Sequence, residues 1–425
     1  MYECVYEFDD QKDISLSLSL PSRACRKSES SLKLIADLMG ARRAASAKSS
    51  SNRRRARRRR RRSDTYFWRI RARGGVAEMT TTTTTSTPPK VVLGTMTFSG
   101  QTDKSAACAM VEKFSQADTS LVGRYPELDT ARMYCGGGTE TLLGEMLTDG
   151  SIAPEIVSTL RIATKANPTQ SLTKEGTIKQ LTDSLISMQT ESCDLFYLHA
   201  PDANAYIEDT LAAVQNLYEA GKFKRLGISN YAAWEVVWIH SYMKERGWII
   251  PTVYQGMMNA ITRASNEQLL PALRRLNMSF NLYNPLAGGV LTGKYKSRDD
   301  VKSGRFTGLG DEKYGKMYQD RFMLAEHFEA MEIVLAACET ESIPPAEAAL
   351  RWCKWHSGLS SEFGDGIIIG VSTMAHFESN MASLDKGPLP SSILEAYDKA
   401  WALCKPVVAA YSRGISGSNL PPKKS

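Results

Sequence analysis

The 425-residue sequence lacks several features that would assign it to a particular class of protein. It has no run of 18 or more apolar residues, so no membrane-spanning helix is predicted. Its eight cysteines are scattered, with no CxxC pair and none at zinc-ligand spacing to a histidine. Free thiols in a reducing compartment are therefore predicted, rather than disulfides or a metal site. No GxGxxG motif follows a predicted strand, which argues against an open dinucleotide-binding sheet.

The excess of positive charge in the chain lies entirely in its first fifth. The net charge is +7, yet residues 1–78 alone hold 20 Lys and Arg against 9 Asp and Glu, a net of +11. The rest of the chain holds 33 basic and 37 acidic residues and is mildly acidic. This balance gives no electrostatic support to nucleic-acid binding by the globular part.

Residues 1–89 are of low complexity and rich in Arg, Ser and Thr, with an arginine block at Arg53–Arg62 and a threonine run at Thr80–Thr85. Such a segment buries little apolar surface, so disorder is predicted. Two alternatives stay open: a nuclear-import or nucleic-acid-binding signal, or sequence upstream of a start at Met79. The first residues predict no secretory signal, and a cytoplasmic location is expected, with an organelle or the nucleus left open.

From residue 90 the pattern changes to short apolar runs that alternate with amphipathic stretches, up to a polar C-terminal tail at 415–425. This alternation predicts a parallel α/β fold, and eight such units in about 320 residues favour a (β/α)8 TIM barrel over 90–414. The stretch 284–365 exceeds one helix and predicts an insertion with extra helices. The predicted strands are Val91–Phe98, Glu127–Met133, Arg161–Lys165, Asp194–His199, Lys224–Ser229, Thr252–Met257, Ser279–Tyr283 and Gly366–Val371. The predicted helices include Asp103–Gln116, Thr139–Leu147, Thr173–Met188, Ile207–Ala220, Ala232–Arg246, Asn266–Leu276, Arg321–Glu341 and Pro345–Trp355.

Polar residues follow three consecutive predicted strands: Asp129 with Tyr134 just beyond it, then Lys165, then His199. Taken singly, each has an ordinary explanation as a turn, solvated or core residue. The carboxyl ends of barrel strands converge on one pocket, however, so the coincidence predicts a shared site. It contains no activated Ser or Cys nucleophile and no metal triad.

This set of residues suits the reduction of a carbonyl group, which needs a hydride on carbon and a proton on oxygen. Tyr134 is a suitable proton donor if Lys165 lowers the tyrosine pKa from about 10. Asp129 would keep the lysine charged, and His199 would orient the carbonyl oxygen.

At the same residues the sequence resembles the aldo-keto reductase superfamily, and within it most closely the aflatoxin-aldehyde reductase (succinic semialdehyde reductase) family. The resemblance spans about residues 90–414 and implies a catalytic tetrad of Asp129, Tyr134, Lys165 and His199. The strings that carry it are LGTMTFSG, LDTARMYCGGGTE, IATKANP, FYLHAPD, GKFKRLGISNYAAWEV, PTVYQGM, YNPLAGGVLTGKY and GRFTG.

The resemblance also implies a binding site for NADPH/NADP+. It assigns the nicotinamide to groups on the fifth to seventh strands, the pyrophosphate to the loop that follows, and the adenosine 2′-phosphate to Gly370–Asn380. The implied contacts are Ser229, Asn230, Gln255, Tyr283, Asn284, Pro285, Leu286, Ala287, Gly288, Gly289, Lys294, Arg305, Ser372, Thr373, His376 and Asn380.

The substrate contacts implied in the same way are Met96, Tyr318, Arg321 and Arg413, with Met96 expected within the first strand. The two arginines favour an aldehyde that carries a carboxylate. The sequence departs from the family pattern in three ways. Met258 replaces an expected aromatic residue, the 2′-phosphate segment contains no Lys or Arg, and a tail continues past Arg413 that would weaken carboxylate preference if it displaced this residue.

Two expectations about the whole protein remain. Related enzymes are often dimers, so a homodimer is consistent with the resemblance. A different functional class also fits the same barrel, namely a cofactor-binding regulatory subunit resembling the β subunits of potassium channels.

Overall fold

A computed structural model describes residues 87–302, 304–310 and 312–421. The predicted disordered extension, up to residue 86, lies outside this range. Eight parallel strands close into a barrel in chain order, as predicted. They are β1 Lys90–Gly94, β2 Glu127–Asp129, β3 Arg161–Ala166, β4 Cys193–Leu198, β5 Phe223–Ser229, β6 Pro251–Met257, β7 Ser279–Tyr283 and β8 Gly366–Gly370.

The barrel closes where β1 pairs with β8 in register, from Lys90 opposite Gly366 to Gly94 opposite Gly370. Val91, Val92 and Leu93 of β1 are fully buried, as are Ile367 and Ile369 of β8. Strands that are covered on both faces are typically continuous apolar runs, and β-branched residues suit them.

Helices surround the barrel, and the predicted insertion between β7 and β8 contains three of them, α9 to α11. None of the helices in the described part of the chain is both long and apolar enough to cross a membrane. In chain order they are α1 Lys104–Ser115, α2 Thr119–Val122, α3 Gly138–Thr148, α4 Pro154–Thr159, α5 Lys174–Ser187, α6 Ile207–Glu219, α7 Ala233–Glu245, α8 Leu269–Leu276, α9 Glu312–Phe322, α10 Ala325–Thr340, α11 Pro345–Trp355, α12 Met374–Leu384 and α13 Ser391–Cys404.

The barrel interior is filled by side chains rather than left as a channel. Tyr197 of β4 is fully buried there beside Leu195 and Val253. Its ring requires a glycine on the neighbouring strand, because a Cβ atom at Gly227 would lie 2.3 Å from it. The Tyr197 hydroxyl accepts a hydrogen bond of 3.1 Å from Asn281 Nδ2 on β7, which satisfies a polar group in the core.

Two strands, β1 and β2, end four residues earlier than predicted. β1 stops at Gly94 rather than Phe98, because the chain turns at Thr95, whose carbonyl accepts from Phe98 N at 2.9 Å. Met96 therefore lies in the loop after β1, and its assignment to the strand was wrong. β2 stops at Asp129 rather than Met133, and a short 3-10 helix begins at Tyr134.

The helix predicted over Arg321–Glu341 is two helices. α9 ends at Phe322 and α10 begins at Ala325. Leu324 between them has extended backbone angles (φ −92°, ψ 160°), which interrupt the helical hydrogen bonds. The prediction failed because helical periodicity continues across the break, while the break itself depends on packing.

We expect the protein to lose stability in mild acid because of His327 on α10. Its side chain is fully buried, neither ring nitrogen has a partner among the described residues, and burial lowers its pKa to about 4. An unfolded histidine titrates near 6.5, so below that pH the unfolded chain binds a proton that the folded chain excludes. The resulting loss reaches about 3 kcal/mol as the pH falls from 6.5 to 4.

Chemical denaturation of the wild type and of His327→Leu across this pH range measures the effect. The leucine variant should lose much less stability over the same range, and replacement of the exposed His376 by Gln serves as the control. Parallel pH profiles for wild type and His327→Leu would contradict the assignment.

Candidate active site

A cavity of about 490 Å³ opens at the carboxyl ends of the strands, lined by the loops that follow them. This is the end at which (β/α)8 barrels place their active sites. Most of the residues singled out in the sequence come together here. The predicted residues that line the cavity are Met96, Asp129, Tyr134, His199, Asn230, Gln255, Tyr283, Asn284, Pro285, Leu286, Gly288, Gly289, Lys294, Arg305, Tyr318, Ser372, His376, Asn380 and Arg413.

At the base of the cavity lies a buried ion pair between Asp129, the last residue of β2, and Lys165 on β3. Lys165 Nζ lies 2.7 Å from Asp129 Oδ2 and also donates to the carbonyl of Thr130 at 2.7 Å. Gln255 Nε2 donates to the other carboxylate oxygen at 2.8 Å. Burial raises the pKa of Asp129 and lowers that of Lys165, and each charge opposes the shift of the other. The additional hydrogen bonds compensate for the removal of both charges from water.

Tyr134 follows β2 and lies over this pair, with Lys165 Nζ 5.2 Å from the centre of its ring. Burial, followed by the negative charge of Asp129, raises the pKa of Tyr134 well above 10. The expectation that Lys165 lowers this pKa toward neutrality is therefore not met, because desolvation of the phenolate and the charge of Asp129 outweigh the opposing charge of Arg305. The tyrosine consequently keeps its proton at neutral pH.

His199 immediately follows β4 and meets Tyr134 edge to face, with 6.3 Å between ring centres. Burial, then the positive charges of Lys165 and Arg413, lowers the pKa of His199 well below 6.5, so the imidazole is neutral. Its Nδ1 atom is buried and has no hydrogen-bond partner within the described residues. A neutral histidine with a free ring nitrogen is suited to bind a polar ligand atom.

The loop after β7 forms another wall of the cavity. Its backbone is left-handed at Ala287 (φ 50°), Gly288 (φ 68°) and Gly289 (φ 110°). A Cβ atom at Gly288 would lie 3.0 Å from the ring of Phe306, so this position requires glycine for space as well as for conformation. Lys294 adds a positive charge to the same side of the cavity. Such a turn with a cation is suited to a phosphate group.

Helix α12 begins at the edge of the cavity. Its N-cap Thr373 accepts from His376 N at 3.2 Å, and Ser372 and His376 line the cavity beside it. Helix N-termini favour anions because their first N–H groups have no partner within the helix.

Arg413 reaches the cavity from the C-terminal segment and is not displaced by the tail that follows it. Its Nη2 donates to Tyr283 Oη at 3.0 Å, and that hydroxyl donates to Asn230 Oδ1 at 2.7 Å.

A second arginine, Arg305, donates to Tyr318 Oη at 3.2 Å. Burial raises the pKa of Tyr318, but the charge of Arg305 and the hydrogen bonds to its hydroxyl together outweigh burial and lower this pKa to about 7.

Five predicted site residues do not line the cavity. Ala287 is fully buried, while Ser229 Oγ accepts from Asn230 Nδ2 behind the wall. Arg321 lies near the ring of Tyr318, 5.9 Å from its centre, and its Nε and Nη1 atoms are buried without a partner in the described residues. The remaining two are Lys165, which lies beneath Tyr134, and Thr373, which caps α12.

The sequence reasoning missed several residues that line the cavity, among them Gln101, Met133, Tyr314 and Met317. A signal was available for Met133, which directly precedes Tyr134. Tyr314 and Met317 lie on α9, and their position depends on how that helix folds over the barrel. Met258, which replaces an expected aromatic residue, is fully buried and is not among the residues that line the cavity.

The barrel and its Asp, Lys, Tyr and His cluster define an oxidoreductase of the carbonyl-reducing kind. A model of the Aldo/keto reductase family matches residues 90–402, and the chain belongs to this family. The chain is 45% identical to aflatoxin B1 aldehyde reductase member 2 of Mus musculus over 322 residues, which cover 73% of this chain and 84% of the relative. It is 42% identical to aflatoxin B1 aldehyde reductase member 4 and 40% identical to aldo-keto reductase family 7 member A3, both of Homo sapiens, each over 73% of this chain and 93% of the relative.

Proposed function

We propose that the protein reduces aldehydes to alcohols with NADPH, and that Tyr134 supplies the proton. The observation that carries this proposal is the convergence of Asp129, Tyr134, Lys165 and His199 at the base of one cavity. A nicotinamide cofactor bound in the cavity would supply the hydride. The similarity to aflatoxin B1 aldehyde reductases supports aldehydes as the substrate class.

Among Asp129, Tyr134, Lys165 and His199, Tyr134 is the proposed proton donor. It is neutral at rest, its hydroxyl carries a transferable proton, and its ring lies over Lys165. Its raised pKa keeps the proton in place until the oxygen of the substrate becomes strongly basic. The nearby Lys165 charge then stabilises the phenolate that remains, and Asp129 holds the lysine in position. His199, neutral and buried, orients the carbonyl oxygen.

The cofactor would lie along the wall from β5 to α12. Asn230, Gln255 and Tyr283 are the proposed contacts of the nicotinamide, and the Ala287–Gly289 turn with Lys294 and Arg305 those of the pyrophosphate. The 2′-phosphate would meet the N-terminus of α12, where Ser372, Thr373 and His376 lie. The N–H groups at a helix N-terminus can bind this phosphate even though the segment has no Lys or Arg. The position of this helix supports NADPH over NADH as the cofactor.

An aldehyde that carries a carboxylate is the proposed substrate class. Arg413 reaches into the cavity, and the Nε and Nη1 atoms of Arg321 are buried without a partner among the described residues. Burial, followed by the charge of Arg413, lowers the pKa of Arg321, so the two guanidinium groups repel each other. An anion bound by Arg413 in the cavity would relieve this repulsion and accept charge-assisted hydrogen bonds from Arg413.

We expect purified enzyme to oxidise NADPH with succinic semialdehyde faster than with an uncharged aromatic aldehyde, and to prefer NADPH to NADH. The difference should appear mainly in KM, because the arginine contact is made in the ground state as well as in the transition state. Steady-state kinetics with both aldehydes and both cofactors measure these preferences.

If only the aromatic aldehyde is turned over, the proposed reductase activity stands, but the proposed preference for aldehydes with a carboxylate is contradicted. Tight NADPH binding without turnover of either aldehyde would contradict the enzymatic function and favour the regulatory-subunit role.

A further inference from the structure

The chain after α13 runs across the loops at the carboxyl ends of β4 and β5. We call residues 414–421 of this run the C-terminal strap. Arg413, which precedes the strap, donates its backbone N–H to the carbonyl of Asn230 at 2.8 Å. Within the strap, Gly417 N donates to Asp202 O and Asn419 N to Ala203 O, both at 2.9 Å. The strap therefore joins two loops of the cavity rim.

Both loops carry groups of the candidate active site. Asn230 directly follows β5, and its Nδ2 donates to the carbonyl of His199 at 2.8 Å. Asp202, the anchor of Gly417, is itself held in place, because its carboxylate accepts from Leu172 N at 2.7 Å and from Asn204 N at 2.9 Å. The strap is thus attached to a fixed part of the rim.

The strap also covers a buried carboxylate, that of Glu235 on α7. Ser416 N donates to Glu235 Oε1 at 3.0 Å, and the glutamate is 4% exposed. Beyond this point the side chain of Asn419 donates to Asn204 Oδ1 at 3.0 Å, and Tyr206 Oη donates to the carbonyl of Pro421 at 3.1 Å. Hydrogen bonds thus recur along the strap, and this fixes its backbone.

We propose that the C-terminal strap is a positioning element that holds the Arg413 guanidinium in the cavity and so determines selectivity for aldehydes with a carboxylate. The proposal rests on the proposed function. The backbone of Arg413 is held on one side by its own hydrogen bond to the carbonyl of Asn230 and on the other by the hydrogen bonds of the strap. This fixed backbone directs the Arg413 side chain to Tyr283 Oη, which lies 3.0 Å from Nη2. On a free chain end the same arginine would lose conformational freedom each time a substrate bound.

The test is a pair of truncations in the full-length protein. A chain that ends at Gly414 lacks residues 415–421 of the strap, and a chain that ends at Pro421 keeps the whole strap and serves as the matched control. For the shorter chain we expect KM for succinic semialdehyde to rise about tenfold, the effect of freeing one long side chain. Its kcat, and both constants for an uncharged aromatic aldehyde, should stay unchanged, as should all constants of the control.

Gly417→Val is a second variant in case the short chain does not fold. Gly417 has φ 67°, a left-handed conformation that a β-branched residue strongly disfavours, so valine should detach the strap locally. It is expected to raise the same KM selectively. An equal change of KM for both aldehydes, or a fall of kcat, would show a merely structural role and overturn the proposal.

Arg413→Met in the full-length chain separates the two proposals. If this variant leaves KM for the semialdehyde unchanged, the proposed carboxylate contact of Arg413 is wrong. The positioning role of the strap, which depends on that contact, is then wrong as well. If Arg413→Met raises that KM while neither strap variant does, the strap proposal alone is wrong and the substrate proposal stands.

Discussion

Replacement of Tyr134 by phenylalanine is expected to lower kcat for aldehyde reduction by about 10²- to 10⁴-fold, the usual contribution of a positioned general acid. The change removes only the hydroxyl, so the ring over Lys165 and the edge contact with His199 remain. Cofactor affinity should therefore stay close to that of the wild type. Single-turnover kinetics, with NADPH binding followed by fluorescence, measure the two quantities separately.

Tyr125→Phe provides the control, since Tyr125 is 42% exposed and is not among the residues that line the cavity. It should leave both quantities unchanged. Turnover of Tyr134→Phe near the wild-type value would refute Tyr134 as the proton donor. A parallel loss of NADPH binding would instead indicate that the hydroxyl supports the cofactor site.

Lys165→Met should abolish most activity and also destabilise the fold. The lysine side chain is fully buried and that of Asp129 is 5% exposed, so the substitution leaves a buried carboxylate without its cation. Removal of one partner of such a pair costs about 3–5 kcal/mol. Chemical denaturation and steady-state kinetics on the same protein measure both losses.

The double variant Asp129→Asn with Lys165→Met separates the two roles of the pair. It removes both charges, so stability should return toward that of the wild type while activity stays low. Lys104→Met, whose ion pairs are exposed at the surface, should change little and serves as the control. Recovery of activity in the double variant would contradict a chemical role for the lysine charge.

The barrel itself was predictable from the sequence because each strand is a short apolar run between amphipathic helices. The prediction for β7, Ser279–Tyr283, matches the structure residue for residue. The ends of β1 and β2 were not predictable, because the residues that follow them are as apolar or β-branched as the strands. Where these strands stop is decided by turns such as that at Thr95, which packing on neighbouring loops stabilises.

Some features of the candidate site were also predictable from the sequence and others were not. Asp129, Lys165 and His199 were identified because strand ends in a parallel barrel meet at one face, a rule that needs only the order of the elements. The pKa of Tyr134 was not predictable, since the sequence shows the nearby lysine and not the degree of burial. Burial raises the pKa of this tyrosine, whereas sequence reasoning expected the lysine to lower it.

The sequence by itself determined the eight-fold alternation of strands and helices, the residue types at the strand ends and the membership of the family. Tertiary structure alone decided that Arg413, more than 180 residues from Asn230 along the chain, lies beside it at the cavity. It also decided that the tail leaves this arginine in the cavity rather than displacing it. Local patterns specify elements through periodicity, whereas the meeting of distant segments depends on packing and on hydrogen bonds that no short stretch of sequence encodes.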